Sequence, residues 1–356
     1  GMTSKGLLPL VLLAGCASQP SAAPFPREKV AAIERHLSMM GTSLEVRVEA
    51  LDRERALEAS ERAVAAIEAA EGRLSTWRDD TELARLNRAP VGQSVPLSPA
   101  LAADLAAARS CWEETDGAFD PSVGGLVRVW GLRQGGRRPD ALEMREALAA
   151  TGLERLRLIP EGAAVRERTD LVLEEGGFGK GAGLADALDV LTEQPGVTRA
   201  LLDLGGQVAV LGRAEDRWAI PVADPLLRDQ PAVALMIDRG SVSTSGNSER
   251  GIVVEGERLG HILDPRTGRP APDFGSLTVW TADPVRADCL STGLYVLGPE
   301  AALAWAAEHP GVEVLVLRPR RERVEALASA GLQGKLEVLA DNVDVEFWSA
   351  EWHESL

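Results

Sequence analysis

Asp288 and Thr292 stand four residues apart in the run "TADPVRADCLSTGLYVLG". Asp283 can cap a helix there and Pro284 can open it, so a carboxylate and a hydroxyl project from one face of its first turns. Two hard oxygen ligands so placed can hold one Mg2+; otherwise they form a solvated, hydrogen-bonded face. Leu290 and Leu294, on another face, would anchor the helix in a core.

Other segments carry weaker chemical signals. The turn "GGFGKG", Gly176 to Gly181, brings backbone N–H groups and Lys180 to an expected helix N-terminus, a suitable place for a phosphate. It is not a Walker A loop, because Glu174 stands where the first Gly belongs and Gly181 where Ser or Thr should follow Lys180. A tight strand-to-helix turn explains it equally well. In "DLGGQVAVLG", Gly205 and Gly206 follow a strand and permit close approach by a ligand or by a neighbouring strand. "VSTSGNSER" packs Ser243, Thr244, Ser245 and Asn247 around Gly246, as a polar binding loop or a hairpin turn. In "GHILDPRTGRPAP", Asp264, Pro265 and Gly268 make a turn. His261 lies just before that turn at a strand end, as a general base or as a structural histidine. His36, His309 and His353 lie in polar or terminal contexts. No His or Cys spacing suits zinc, and there is no nucleophilic triad.

The elements that must position these groups are legible in the periodicity. "SLEVRVEA" alternates like a strand, and Arg53 to Leu74 carries Leu57, Val64, Ile67 and Leu74 at helical spacing. Ser98 and Pro99 announce a second helix that stops at Gly117. "LVLEE" reads as a strand, "GGFGKGAGLADALDVL" as a glycine turn into a helix, and "RALLDL", "QVAVLG", "WAIPVA", "VALMID" and "GIVVEG" as short strands. A helix pair, Pro284 to Leu297 and Pro299 to His309, precedes the strand "VEVLVL". There is no fixed-period repeat. The expected fold is α+β: a single large domain with mixed β-sheets and packed helices.

Composition narrows the function classes. With 356 residues and 45% hydrophobic content the chain buries a large core. A net charge of -16 and a pI near 4.9 exclude a nucleic-acid binder, which needs clustered Lys and Arg. The dense basic runs, "RQGGRR" at Arg133 and "RPRRER" at Arg318, contain no aromatics and are expected as solvated loops. At the N-terminus, Lys5, the apolar stretch Leu7 to Leu13 and "LAGC" ending at Cys16 form a signal peptide with a lipobox over 1–16. A Pro-rich tether follows over 17–28, and the domain is expected over 29–350. Cys16 would carry the lipid that anchors the exported protein to a membrane. Cys111 and Cys289 give no disulfide pattern and are expected as buried small hydrophobes.

The order of the motifs resembles one family. "MMGTSLEV" at Met39, "LSTWRDDTELARLN" at Leu74, "FDPSVGGLVRVWG" at Phe119, "GGFGKG", "DLGGQVAVLG", "VSTSGN", "HILDPRTGRP" and "ADCLSTG" at Ala287 together resemble the ApbE family, the FAD:protein FMN transferases. The resemblance implies an ApbE-like fold with a T-fold-like core. It implies a Mg2+-dependent enzyme that breaks the pyrophosphate of FAD, joins FMN through a phosphoester to a Thr or Ser of an acceptor redox protein, and releases AMP. Asp288, Thr292 and the carbonyl of Gly177 then fall on metal ligands. Lys180 falls on the lysine beside the flavin site, and His261 on the base that deprotonates the acceptor hydroxyl. Met40, Gly41 and Thr42 match the flavin-contacting loop, Trp77 takes the place of an aromatic that packs on FAD, and Asp120, Gly205, Gly206, Ser245 and Gly246 join the cofactor contacts. Gln207, Ser248, Cys289 and Gly293 depart from the usual pattern, and none removes a ligand or the base. Two rival readings share these contacts: an FAD pyrophosphatase yielding FMN and AMP, and a non-catalytic FAD-binding or storage lipoprotein. The resemblance places the protein at the extracytoplasmic face of the membrane.

Overall fold

The computed structural model describes residues 30–246 and 251–349. The signal peptide, Cys16 and tether lie outside the described residues, as do Asn247, Ser248 and both end residues of the expected domain.

Strong local signals start the chain. β1 (Ala31–Met39) and β2 (Thr42–Ala50) pair antiparallel in a hairpin. α1 (Arg53–Leu74) begins where Asp52 accepts from the Arg55 N–H at 2.8 Å, a side-chain cap. α2 (Glu82–Arg88) and β3 (Val95–Pro96) follow, then α3 (Pro99–Glu114), capped by Ser98 with Pro99 at its first position. α4 (Gly124–Val129), α5 (Ala141–Ala150), β4 (Leu156–Ile159) and β5 (Ala163–Arg166) complete the first half. α6 (Gly179–Glu193) leads into β6 (Val197–Leu204), β7 (Gln207–Leu211), β8 (Trp218–Ala223), β9 (Pro231–Ile237) and β10 (Arg239–Gly246). β11 (Gly251–Val254) and β12 (Glu257–Gly260) form a separate hairpin. β13 (Ser276–Thr281), α7 (Pro284–Leu297), α8 (Pro299–Glu308), β14 (Glu313–Arg320), β15 (Arg323–Ala328), β16 (Leu336–Val338) and β17 (Val343–Phe347) close the domain.

The main sheet has nine strands in the order β1-β2-β6-β7-β10-β13-β14-β15-β17. Its pairs are antiparallel except β15 with β17, so it is a mixed sheet. Both faces are covered. On one face α1 and α6 pack over β1, β2 and β6 through Ile67, Leu184, Leu191, Val46 and Leu202, while α3, α7 and α8 pack over β13 and β14. On the other lies the small sheet β16-β9-β8. β14 shows why its sequence is a continuous apolar run: Val314 and Val316 point to the helices, Leu315 and Leu317 to the small sheet.

Four expectations are corrected. "LVLEE" joins no sheet; Leu173 exchanges two hydrogen bonds with the Asn87 amide (2.8 and 3.0 Å), and the Glu174 N–H donates to the Pro121 carbonyl at 2.7 Å. Its backbone partners are thus a side chain and a loop, which periodicity cannot foresee. "VSTSG" is neither loop nor turn but the end of β10, paired to β13 in the middle of the main sheet. Of the two basic runs, "RQGGRR" is the exposed turn and coil expected, and only "RPRRER" differs, since most of it belongs to strands. Arg137 and Arg138 pair with Glu143 and Glu257, and "RPRRER" forms the β14–β15 turn with Arg318 held between Glu300 and Glu325. Finally, Cys111 and Cys289 are buried as expected but joined in a disulfide across 178 residues, from α3 to α7. Two cysteines far apart in sequence reveal no pairing until the helices carrying them are packed together.

Candidate active site

α7 and the N-terminus of α6 cross at contact distance. Asp283 caps α7 by accepting from the Val285 N–H at 2.9 Å, and Leu290 and Leu294 are fully buried beneath it. Asp288 therefore faces α6. Its Oδ2 accepts from the Gly181 N–H at 2.9 Å. The approach requires glycine: a Cβ on Gly181 would stand 2.5 Å from the Pro284 carbonyl oxygen and 2.9 Å from Asp288 Cβ. Gly181 is the third residue of α6, so its N–H has no acceptor within the helix and Asp288 satisfies it from α7.

Burial pushes the Asp288 carboxyl up to about 6, opposed by the positive charge of Lys180 and by the Gly181 N–H. A buried carboxylate in this position gains from a cation. Thr292 follows one turn later, partly exposed. Among the described residues no group of three His, Cys, Asp or Glu side chains gathers as a ligand set. The donors at hand are one carboxylate, one hydroxyl and one carbonyl, all hard oxygens. That set suits Mg2+, which binds few protein ligands and fills its shell with water and phosphate oxygens.

Two hairpin tips form the adjoining wall. Met40 and Gly41 make a two-residue turn between β1 and β2 with φ of 51° and 71°, and Gly205 and Gly206 make the matching turn between β6 and β7 with φ of 57° and 97°. The tips touch, since a Cβ on Gly205 would lie 2.8 Å from Thr42 Oγ1. The Met40 side chain reaches α6, where its Cε lies 3.2 Å from the Cβ position of Gly183. Lys180 Nζ donates to the Gly205 carbonyl at 3.4 Å, tying the helix N-terminus to the second tip. Ser245, at the end of β10, donates to Ser291 Oγ at 3.0 Å, and Ser291 donates to the Asp288 carbonyl at 2.8 Å. Gly246 ends the same strand.

Trp77 stands at the surface, 70% exposed, with the Arg133 guanidinium 4.0 Å from its ring centre. Arg133 also donates to Thr76 Oγ1 at 2.6 Å and Glu174 Oε2 at 2.7 Å, three residues before Gly177. Asp120 is buried; its Oδ1 accepts from the Ser122 N–H (2.8 Å) and hydroxyl (2.5 Å), and burial pushes its carboxyl up. His261 sits immediately after β12, partly buried, leading into the turn where Gly268 N–H donates to the Asp264 carbonyl at 2.8 Å.

The structure thus brings together Met40, Gly41, Thr42, Gly177, Lys180, Gly205, Ser245, Asp288 and Thr292 through direct contacts or shared helix turns. Trp77 joins them through Arg133 and Glu174, while Asp120 is tied into its own loop. Sequence reading missed Arg133, Ser291 and Phe119. Phe119 lies under both halves of the site, its Cε2 2.7 Å from the Cβ position of Gly177 and its Cβ 3.0 Å from that of Gly293. Only the glycines opposite it could have hinted at that role.

With this geometry in place, comparison with known proteins is decisive. A model of the ApbE family matches residues 40–316. The chain belongs to the ApbE family. It is by that membership a transferase. The FAD:protein FMN transferase of Klebsiella pneumoniae (strain 342) is 32% identical over 302 residues, covering 82% of this chain and 85% of the relative. That of Treponema pallidum (strain Nichols) is 34% identical over 287 residues, covering 75% and 78%. The apo form of the flavinyl transferase ApbE of Pseudomonas stutzeri superposes with a TM-score of 0.73 at 26% identity, covering 86% of this chain and 96% of that one.

Proposed function

We propose that this ApbE-family chain transfers FMN from FAD to a Thr or Ser hydroxyl of an acceptor protein, with Mg2+, forming a phosphoester and releasing AMP. The observation that carries this reading is the buried Asp288 carboxylate on the Gly181 N–H, beside Lys180 at the N-terminus of α6. A helix N-terminus with a lysine and a hard-oxygen ligand set suits a pyrophosphate rather than a neutral substrate.

In this reading Asp288, Thr292 and the Gly177 carbonyl hold the metal. Bound Mg2+ would supply positive charge to the non-bridging oxygens of the pyrophosphate. Lys180 adds charge from the protein side and stays anchored near the Gly205 carbonyl. The hairpin tips, Met40 to Thr42 and Gly205 to Gly206, offer backbone to the dinucleotide, and the open face of Trp77 offers a stacking surface. His261 takes the proton of the acceptor hydroxyl as that oxygen bonds to the FMN phosphorus and the bond to the AMP oxygen breaks.

We further propose export and lipid anchoring through Cys16, with the acceptor a membrane redox protein at the extracytoplasmic face. The Cys111–Cys289 disulfide supports an oxidising compartment. The test of function is incubation with FAD, Mg2+ and a flavin-accepting domain, followed by intact-mass measurement and AMP assay. An FMN adduct with matching AMP is expected. AMP with free FMN and no adduct would make the chain an FAD pyrophosphatase, and FAD binding without AMP would make it a carrier.

A further inference from the structure

On an acidic protein, one cleft is rimmed by arginines. It measures about 460 Å3 and lies between α5 and the turn that follows His261, with Arg138, Arg145 and Arg269 at its edge and Trp130, Met144 and Leu148 among its walls. Trp130 is buried and fixed, its Nε1 donating to the Gly268 carbonyl at 2.7 Å. Arg138 is neutralised by Glu257 at 2.9 Å and Glu255 at 3.7 Å. Asp140 also lines the cleft, but its Oδ1 is committed to the Glu143 N–H at 2.8 Å as the cap of α5. Among the described residues no carboxylate lies within ion-pair distance of Arg145 or Arg269. The whole chain carries a net charge of -16, so two arginines without an ion pair beside an apolar wall make this rim locally basic on an acidic protein.

The cleft is mechanically continuous with His261. Asp264 N–H donates to the Arg269 carbonyl at 2.8 Å, Leu263 bridges Pro270, and Ala271 N–H donates to the Ile262 carbonyl at 2.8 Å. His261 is thus three residues from the position paired with Arg269, roughly 10 Å at extended-chain spacing. A protein segment of three or four extended residues spans that distance.

We propose that this cleft seats an acidic, extended segment of the acceptor protein, with its carboxylates on Arg145 and Arg269 and an apolar side chain against Trp130. The segment so held delivers its hydroxyl to His261. The proposal rests on the transferase reading, and the experiment separates the two.

The test compares wild type, Arg145→Glu, Arg269→Glu and the double variant, with Arg→Gln versions as milder controls. Both sites of change are exposed side chains, and a thermal melt checks folding. Two rates are read: labelling of a flavin-accepting domain against its concentration, and AMP release from FAD without acceptor. The acceptor KM should rise roughly tenfold or more in the double variant, while FAD KM and acceptor-free AMP release stay unchanged. Replacing Asp and Glu near the acceptor Thr by Asn and Gln should raise KM in wild type but not in the double variant. An unchanged acceptor KM in the double variant, with wild type labelling normally, overturns the cleft alone. No labelling by wild type overturns the transferase reading and the cleft with it. Loss of binding to phosphatidylglycerol vesicles at unchanged acceptor KM would make the arginines a membrane contact and refute the proposal.

Discussion

Gly181→Ala isolates the contact on which the site depends. In a helix interior this change normally stabilises by roughly 1 kcal/mol, because alanine loses less backbone entropy on folding. Here the new Cβ would meet the Pro284 carbonyl oxygen at 2.5 Å and Val285 Cα at 2.8 Å, where ordinary contact begins at 3.4 Å. These atoms belong to backbone, so no rotamer change relieves the clash. α7 must retreat by up to 0.9 Å, the difference between 3.4 and 2.5 Å. The same movement stretches the Gly181 N–H to Asp288 Oδ2 bond from 2.9 Å towards about 3.8 Å, beyond hydrogen-bond range. Overpacking of this kind costs about 1–3 kcal/mol, a fall in Tm of roughly 2–6 °C for a domain this large. AMP release should fall further than stability does, because the carboxylate and the Gly177 carbonyl lose their mutual placement. The assays are a thermal melt and AMP release at saturating FAD. A variant with equal or higher Tm and wild-type turnover would refute the reasoning.

Three further outcomes follow from named contacts. Arg133→Met should raise the FAD KM about threefold to tenfold with kcat little changed, since it removes the guanidinium that fixes Trp77 4.0 Å away; steady-state kinetics checks this. Replacing both Cys111 and Cys289 by Ala should lower stability by about 2–5 kcal/mol, as the bridge closes a very long loop, which denaturant unfolding with and without reductant measures. Arg73→Met should destabilise by about 3–5 kcal/mol, because it strands the Asp104 carboxylate that Arg73 now meets at 2.7 Å. Burial already pushes Asp104 up to about 6 and the variant would push it higher. A carboxyl raised above its unfolded value favours the folded state at low pH and loses that contribution as pH rises through the folded value, so the Arg73→Met defect should be smaller at pH 5 than at pH 8.

Much of this architecture was legible in the chain. Caps and prolines announced α3 and α7, and apolar spacing announced α1, because those signals act within a few turns. The four-residue spacing of Asp288 and Thr292 was visible for the same reason. What could not be read is what arises when distant segments meet. The hairpin tips at Gly41 and Gly205 touch only because β2 and β6 are neighbours in the sheet. "VSTSG" has the composition of a turn, yet pairing along its whole length with β13 holds it as strand. The Cys111–Cys289 bridge and the Arg133–Trp77 contact each join segments that carry no mark of one another in sequence.

The most direct test of the account is a Mg2+ titration of AMP release for wild type, Asp288→Ala, Thr292→Val and Lys180→Ala, with metal binding followed separately by calorimetry. Asp288→Ala should abolish turnover and metal binding, Thr292→Val should weaken metal affinity less, and Lys180→Ala should bind metal normally yet remain slow at any Mg2+ concentration. Wild-type Mg2+ dependence in Asp288→Ala would contradict the central claim that one carboxylate of α7, held by the start of α6, builds the site.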